Sequence, residues 1–115
     1  MTLFARLIAQ REGFNVPGSI PNRRNNPGDL RHSPHSSHDG EGPDDIGIID
    51  TVADGWADLE RQLQLYAERG MTIAGAIDEY APPSDSNDTT EYLNFICQGL
   101  GLPPTALVSD ALTIP

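Results

Sequence analysis

The chain has no lysine, a single cysteine, one tryptophan and no long apolar run. Without lysine, the side-chain cations are seven arginines set against 17 acids, a net charge of −10. Non-specific nucleic-acid binding depends on many cationic phosphate contacts, so no nucleic-acid partner is expected. Cys97 stands alone and cannot close an internal disulfide, which fits a reducing compartment and leaves it the role of a small core filler. The apolar stretches fall far short of the roughly 20 residues needed to cross a bilayer, and Arg6 interrupts what would be the core of a leader peptide. Neither membrane insertion nor an export signal is expected, and synthesis is placed in the cytoplasm. At 115 residues there is no room for a dinucleotide fold or a barrel, and residues 1–115 are read as one domain with one core and one site.

The 11 glycines and 10 prolines demand long turns between short elements, which disfavours a simple helical bundle. Thr2 caps a first helix with Leu3, Phe4, Leu7 and Ile8 at helical spacing, and Gly13 ends it. Residues 14–28, rich in Pro, Gly and Asn, read as an ordered loop without a regular element. Extended segments at Asp29–Ser33 and Ile46–Thr51 flank a Ser/His/Gly/Asp-rich connection and predict a small β-hairpin with a mobile tip. Thr51 and Asp54 then start a helix to about Arg69, with Trp56, Leu59, Leu63 and Tyr66 on one face. Thr72 opens a shorter helix that Pro82 and Pro83 stop, and Asp88 and Glu91 frame the start of a last one carrying Tyr92, Leu93, Ile96 and Leu100. The tail from Leu102 is expected to pack loosely. The fold class is therefore α+β, mostly α-helical, with a small hairpin.

Charge is unevenly placed. Residues 1–38 hold five arginines against two acids, a net of +3, whereas residues 39–115 hold two arginines and 15 acids, a net of −13. Arg23, Arg24 and Arg31 therefore read either as ordinary surface residues or as a cationic face meeting an anionic polymer. Glu12 attracts chemical attention within this basic third. A carboxylate in the last turn of a helix feels the negative end of the dipole, and beside an apolar stripe it also loses hydration, so both effects favour the protonated form that a general acid needs. The tight turn Asn25-Asn26-Pro27-Gly28 fixes two amide side chains, whose chemistry suits sugar hydroxyl and N-acetyl groups. His32, His35 and His38 carry ligand types that bind zinc, but Pro34 and the Ser/Gly surroundings offer no rigid element, so no metal or other cofactor is expected.

Glu12-Gly13 at the end of the first helix, the run Asn25-Asn26-Pro27-Gly28-Asp29-Leu30-Arg31, the Thr51–Leu59 segment, and Tyr80-Ala81-Pro82-Pro83 followed by Asp88–Leu93 together resemble the lysozyme-like superfamily. The resemblance is nearest to small phage and bacterial lytic transglycosylase or muramidase domains with an Asn-Asn-Pro-Gly-Asn motif, and it covers about residues 3–100. It implies a lysozyme-like fold and an endolysin-like enzyme that cleaves the β-1,4 bond between N-acetylmuramic acid and N-acetylglucosamine in peptidoglycan. On that basis Glu12 is the general acid. Asn25, Asn26, Arg31, Tyr80 and Tyr92 then bind substrate, with the two tyrosines approaching the glutamate. The chain departs from the motif at Asp29, where the family usually has Asn. The implied partner is the glycan strand of the cell wall or periplasm, met by a monomer. A non-catalytic glycan-binding or virion structural protein of the same fold is the alternative, and a zinc-binding interaction domain built on the histidine loop is a third reading.

Two routes of glycoside cleavage are open. A transglycosylase needs one acid and uses the sugar's own 6-hydroxyl, whereas a hydrolase needs water and usually a second carboxylate. Glu41, Asp44, Asp45 and Asp50 fall in or beside the hairpin, on a Gly- and Ser-rich segment poorly suited to holding a carboxylate in place. This favours the single-acid route, with Glu41 as the first second-acid to test.

Overall fold

Side-chain caps set the starts of the longer helices. The structure, a computed structural model, describes residues 1–40, 45–85 and 87–115. Helix α1 (Leu3–Glu12) starts where the Thr2 hydroxyl accepts the Ala5 N–H at 3.2 Å and stops where Gly13 turns left-handed at φ 84°. Helices α3 (Val52–Glu68) and α4 (Ile73–Tyr80) are capped by Thr51 and Thr72 in the same way, and α5 (Thr89–Leu100) by Asp88, which accepts the Glu91 N–H at 3.0 Å. Each such cap contributes about 1 kcal/mol. These elements begin and end within a residue or two of the expected places.

Three expectations are corrected. Residues 14–28 contain a short helix, α2 (Ile20–Arg23), capped by Ser19, with Pro21 in the first turn where a missing N–H costs no intrahelical bond. The hairpin exists, but its first strand, β1, is Ser36–Ser37, paired antiparallel with β2 (Ile48–Ile49) in the register Ser36 to Ile49. Asp29–Ser33 does not form that strand, because Asp29 sits at φ 53° and the Leu30 N–H is taken by the Asn26 side chain at 3.0 Å. The tail does not pack loosely. Its final helix α6 (Val108–Ala111) places Val108 and Ala111 at 0% exposure, and the backbone before it pairs with the start of α4. Ile73 donates to the Ala106 carbonyl at 2.8 Å, and Val108 to that of Met71 at 2.9 Å.

The core lies between α1, α3, α4, α5 and α6, with α5 packed on α1 and α4 and with α6 on α3 and α4. Phe4, Ile8, Leu59, Leu63, Ile77 and Ile96 are fully buried there, each worth about 1.5–3 kcal/mol relative to exposure. Cys97 is buried in the same core, as a small filler. The fold is α+β and mostly helical, with one small two-stranded antiparallel sheet. No helix among the described residues is long and apolar enough to cross a membrane.

One close approach seats the Asn25–Gly28 turn on α3. A Cβ at Gly55, in the first turns of α3, would lie 1.9 Å from the Asn25 carbonyl oxygen and 2.8 Å from Pro27 Cδ. Only glycine lets the Asn25–Gly28 turn rest directly on α3, and that contact brings the turn to the end of α1.

Candidate active site

Glu12 is the last residue of α1, half-buried, and its Oε2 accepts a hydrogen bond of 2.7 Å from the Tyr92 hydroxyl in the first turn of α5. Burial is the main cause that pushes the Glu12 carboxyl up to about 7 from its ordinary 4.5. The Tyr92 hydrogen bond opposes the shift, the negative charge of Asp29 adds to it, and Arg11 opposes it. The helix C-terminus also disfavours a charged carboxylate. Tyr92 is 2% exposed, and burial, with Tyr80 and Glu12 close by, holds its hydroxyl far above the ordinary tyrosine range. Tyr92 is thus a permanent proton donor to Glu12, and the Arg11 guanidinium covers its ring at 5.5 Å.

Tyr80 lies between Tyr66 and Tyr92, with ring centroids 6.5 Å from each. Its hydroxyl donates to the Gly28 carbonyl, and burial raises it well above the usual tyrosine range. A Cβ at Gly28 would sit 2.7 Å from that hydroxyl and 2.9 Å from Leu59 Cδ1, so the turn and Tyr80 meet only because position 28 is glycine. Burial likewise pushes the Tyr66 hydroxyl up to about 12. The row of tyrosines connects the end of α1 to the turn: Tyr92 holds the acid, and Tyr80 holds the loop beside it.

An open cleft of about 300 Å³ runs along this row, and Glu12, Asp29, Arg31, Tyr66, Tyr80 and Asp85 are among its lining residues. Arg31 lies on the cleft wall, 3.6 Å from the Asp85 carboxylate. Tyr80 lines the cleft, whereas Tyr92 reaches the site through Glu12.

Asn25 and Asn26 do not line it, which corrects their expected part in sugar binding. Asn26 is 0% exposed; its amide nitrogen donates to the carbonyls of Leu30 at 2.7 Å and Gly47 at 2.9 Å, and its oxygen accepts the Leu30 N–H. Asn25 sits at φ 52° and gives its amide protons to the carbonyls of Ile49 and Asp50. These two amides tie the turn to backbone carbonyls of the Leu30 loop and the hairpin, where the Leu30 carbonyl also accepts the Gly47 N–H at 3.0 Å. They shape the turn and leave the chemistry to its neighbours.

The hairpin acids are placed differently. Glu41 and Asp44 lie outside the described residues. Asp45 and Asp50 are described, and neither is among the residues that line the cleft. The arginines of the basic third are largely occupied with the fold. The Arg24 side chain, 14% exposed, donates to the Ile46 carbonyl at 2.6 Å and pairs with Asp39 at 3.3 Å, and Arg23 donates to the Gly18 carbonyl at 3.0 Å. Arg23 and Arg24 thus also serve as guanidinium clamps on loops, and Arg23 stays exposed.

Two features escaped the sequence reading. Asp29 stands beside Glu12 in the cleft, 17 residues away in the chain, and its signal was the carboxylate that ends the Asn-Asn-Pro-Gly turn. The second is an ion pair that the hairpin makes with α3. The His35 Nδ1 lies 2.6 Å from Asp58 Oδ1, the His35 N–H donates to Asp58 Oδ2 at 3.0 Å, and Asp54 lies 3.8 Å from the other ring nitrogen. His38 packs its ring on His32 at 4.8 Å and meets the Arg31 carbonyl, while His35 turns to α3. Among the described residues no group of three or more His, Cys, Asp or Glu side chains is arranged to hold a metal ion.

Comparison of the chain with protein-family models, curated proteins and solved structures found no match.

Proposed function

We propose that this chain is a peptidoglycan-cleaving glycosidase in which Glu12 protonates the oxygen of the β-1,4 bond between N-acetylmuramic acid and N-acetylglucosamine. The observation that carries the reading is a carboxyl raised to about 7, held by a buried tyrosine, at the edge of an open cleft. A general acid works best when its pKa lies near the operating pH, because it is then protonated in a useful fraction of molecules and still gives the proton up readily. The resemblance of the Glu12, Asn-Asn-Pro-Gly and Tyr80 to Tyr92 segments to lysozyme-like domains supports the substrate class. In this reading Tyr92 fixes the rotamer of the acid, Tyr80 fixes the loop that faces it, and Arg31 meets the polar strand on the cleft wall. The protein is made in the cytoplasm and acts on the wall as an endolysin-like enzyme.

The test is clearance of a purified peptidoglycan suspension by the wild-type chain and by Glu12→Gln. The substitution keeps size and the Tyr92 hydrogen bond but removes the proton to be donated, so clearance should fall by about 10²–10⁴-fold. Equal clearance by both chains would remove Glu12 from the chemistry. Binding to the glycan without any clearance by the wild-type chain would instead identify a non-catalytic glycan-binding protein.

A further inference from the structure

We infer that Asp29 is the second carboxylate of the Glu12 cleft and that it makes the reaction a hydrolysis, accepting a proton from the water that adds to the sugar's anomeric carbon. This rests on the glycosidase reading above and names the reaction type of that same site. Three observations place Asp29 in this role.

The first is rigidity. Asp29 is held at φ 53° with its N–H on the Asn26 carbonyl at 3.0 Å, and the following N–H is on the fully buried Asn26 side chain. Gly28, the residue before it, is tied to Tyr80, and the whole turn is seated on α3 at Gly55. A carboxylate that must serve across a bond has to be held to within about half an ångström, and a turn fixed from three sides anchors the backbone that carries it.

The second is location, since Asp29 and Glu12 line one cleft of about 300 Å³, large enough for a sugar ring and water between its walls. The third is charge: the Asp29 carboxylate acts on both Glu12 and Tyr80, and at Glu12 it favours the proton that the acid must hold.

The step balances without a further reagent. The Glu12 proton passes to the glycosidic oxygen, which keeps the electron pair of the breaking bond to the anomeric carbon. The oxygen of water bonds to that carbon, and its proton goes to Asp29. Solvent then returns a proton to Glu12 and removes one from Asp29.

The experiment uses the full chain, peptidoglycan and two readouts. Mass spectrometry of the wild-type digest should find reducing-end products one water heavier than the 1,6-anhydro form. Asp29→Asn, which tolerates a positive φ and preserves size, should lower product release by about 10²–10⁴-fold. In the same variant, ¹³C NMR of the Glu12 carboxyl should give a titration midpoint below that of the wild-type chain. Anhydro products from the wild-type chain overturn the role of Asp29 while leaving Glu12 as the acid. A variant as active as the wild type, or an unmoved Glu12 midpoint, also overturns it. If the wild-type chain releases nothing from the wall, the glycosidase reading itself falls, and the hydrolytic role with it.

Discussion

Glu12 and Asp58 are both carboxylates that helices carry inward, and their surroundings drive them in opposite directions. Asp58, on α3, is 2% exposed and takes two contacts from His35. Burial works against its charge, but the two hydrogen bonds from His35, together with the charge on its ring, more than offset that and hold it below the usual aspartate range. Glu12 receives the neutral hydroxyl of Tyr92 against burial and the nearby Asp29 charge, and it ends near 7. Burial has the same sign at both sites, so the donors decide the outcome. A carboxylate with enough donors becomes a fastener, here of the hairpin to α3. One with too few becomes a proton source.

The largest expected effect comes from removing the strained member of the pair. A folded-state pKa above the unfolded one means that Glu12 contributes stability at pH below its ordinary 4.5, and this is lost as the pH rises through about 7. Well above that range the ionised carboxylate costs about 3 kcal/mol, so Glu12→Gln should be the more stable protein at pH 9 by about that amount in urea unfolding, with the difference gone at pH 4. Removing the satisfied member does the reverse. Asp58→Ala leaves the His35 ring and N–H without their acceptor and should cost about 2 kcal/mol at pH 6, with faster amide exchange at Ser36, Ser37, Ile48 and Ile49.

A smaller change sharpens the contrast by taking away the donor Glu12 has. Tyr92→Phe should raise the Glu12 midpoint by about one unit and carry the alkaline limb of wall clearance upward with it. The smallest effect belongs to His35. Its hydrogen bond to Asp58 raises its pKa, so its charged form fastens the hairpin below the ordinary 6.5 and the benefit fades as pH rises through the raised value. The side chain is half exposed to solvent, and the effect should appear as a modest loss of hairpin amide protection between pH 6 and 9. An unchanged protection across that range would detach His35 from the fastening role.

What could be read from the sequence was local. Thr2 and Gly13, Thr51, Thr72, and Asp88 with Gly101 bracket helices whose apolar spacing is long enough to be recognised, and Glu12 was visible because its place at the end of α1 follows from the same signals. What escaped was decided by contacts distant in the chain. A two-residue strand has no period to detect, so β1 was sought at Asp29–Ser33, where the Asn26 side chain takes the Leu30 N–H and a turn forms instead. The tail looked loose because the backbone partners of Ala106 and Val108, at Ile73 and Met71, lie more than thirty residues earlier. Asn25 and Asn26 were recognised as a fixed pair, but which carbonyls they would meet depended on where the hairpin returned. Asp29 was seen as an oddity of the motif, and its nearness to Glu12 needed the seat that Gly55 provides on α3.

The most direct test of the two-carboxylate comparison is a ¹³C NMR titration of the wild-type chain that follows the side-chain carboxyls of Glu12 and Asp58 in one sample. Glu12 should pass its midpoint near 7, and Asp58 should stay ionised down to below the ordinary aspartate value. A Glu12 midpoint near 4.5 would contradict the account, because the group would then be charged at neutral pH and could not act as its acid.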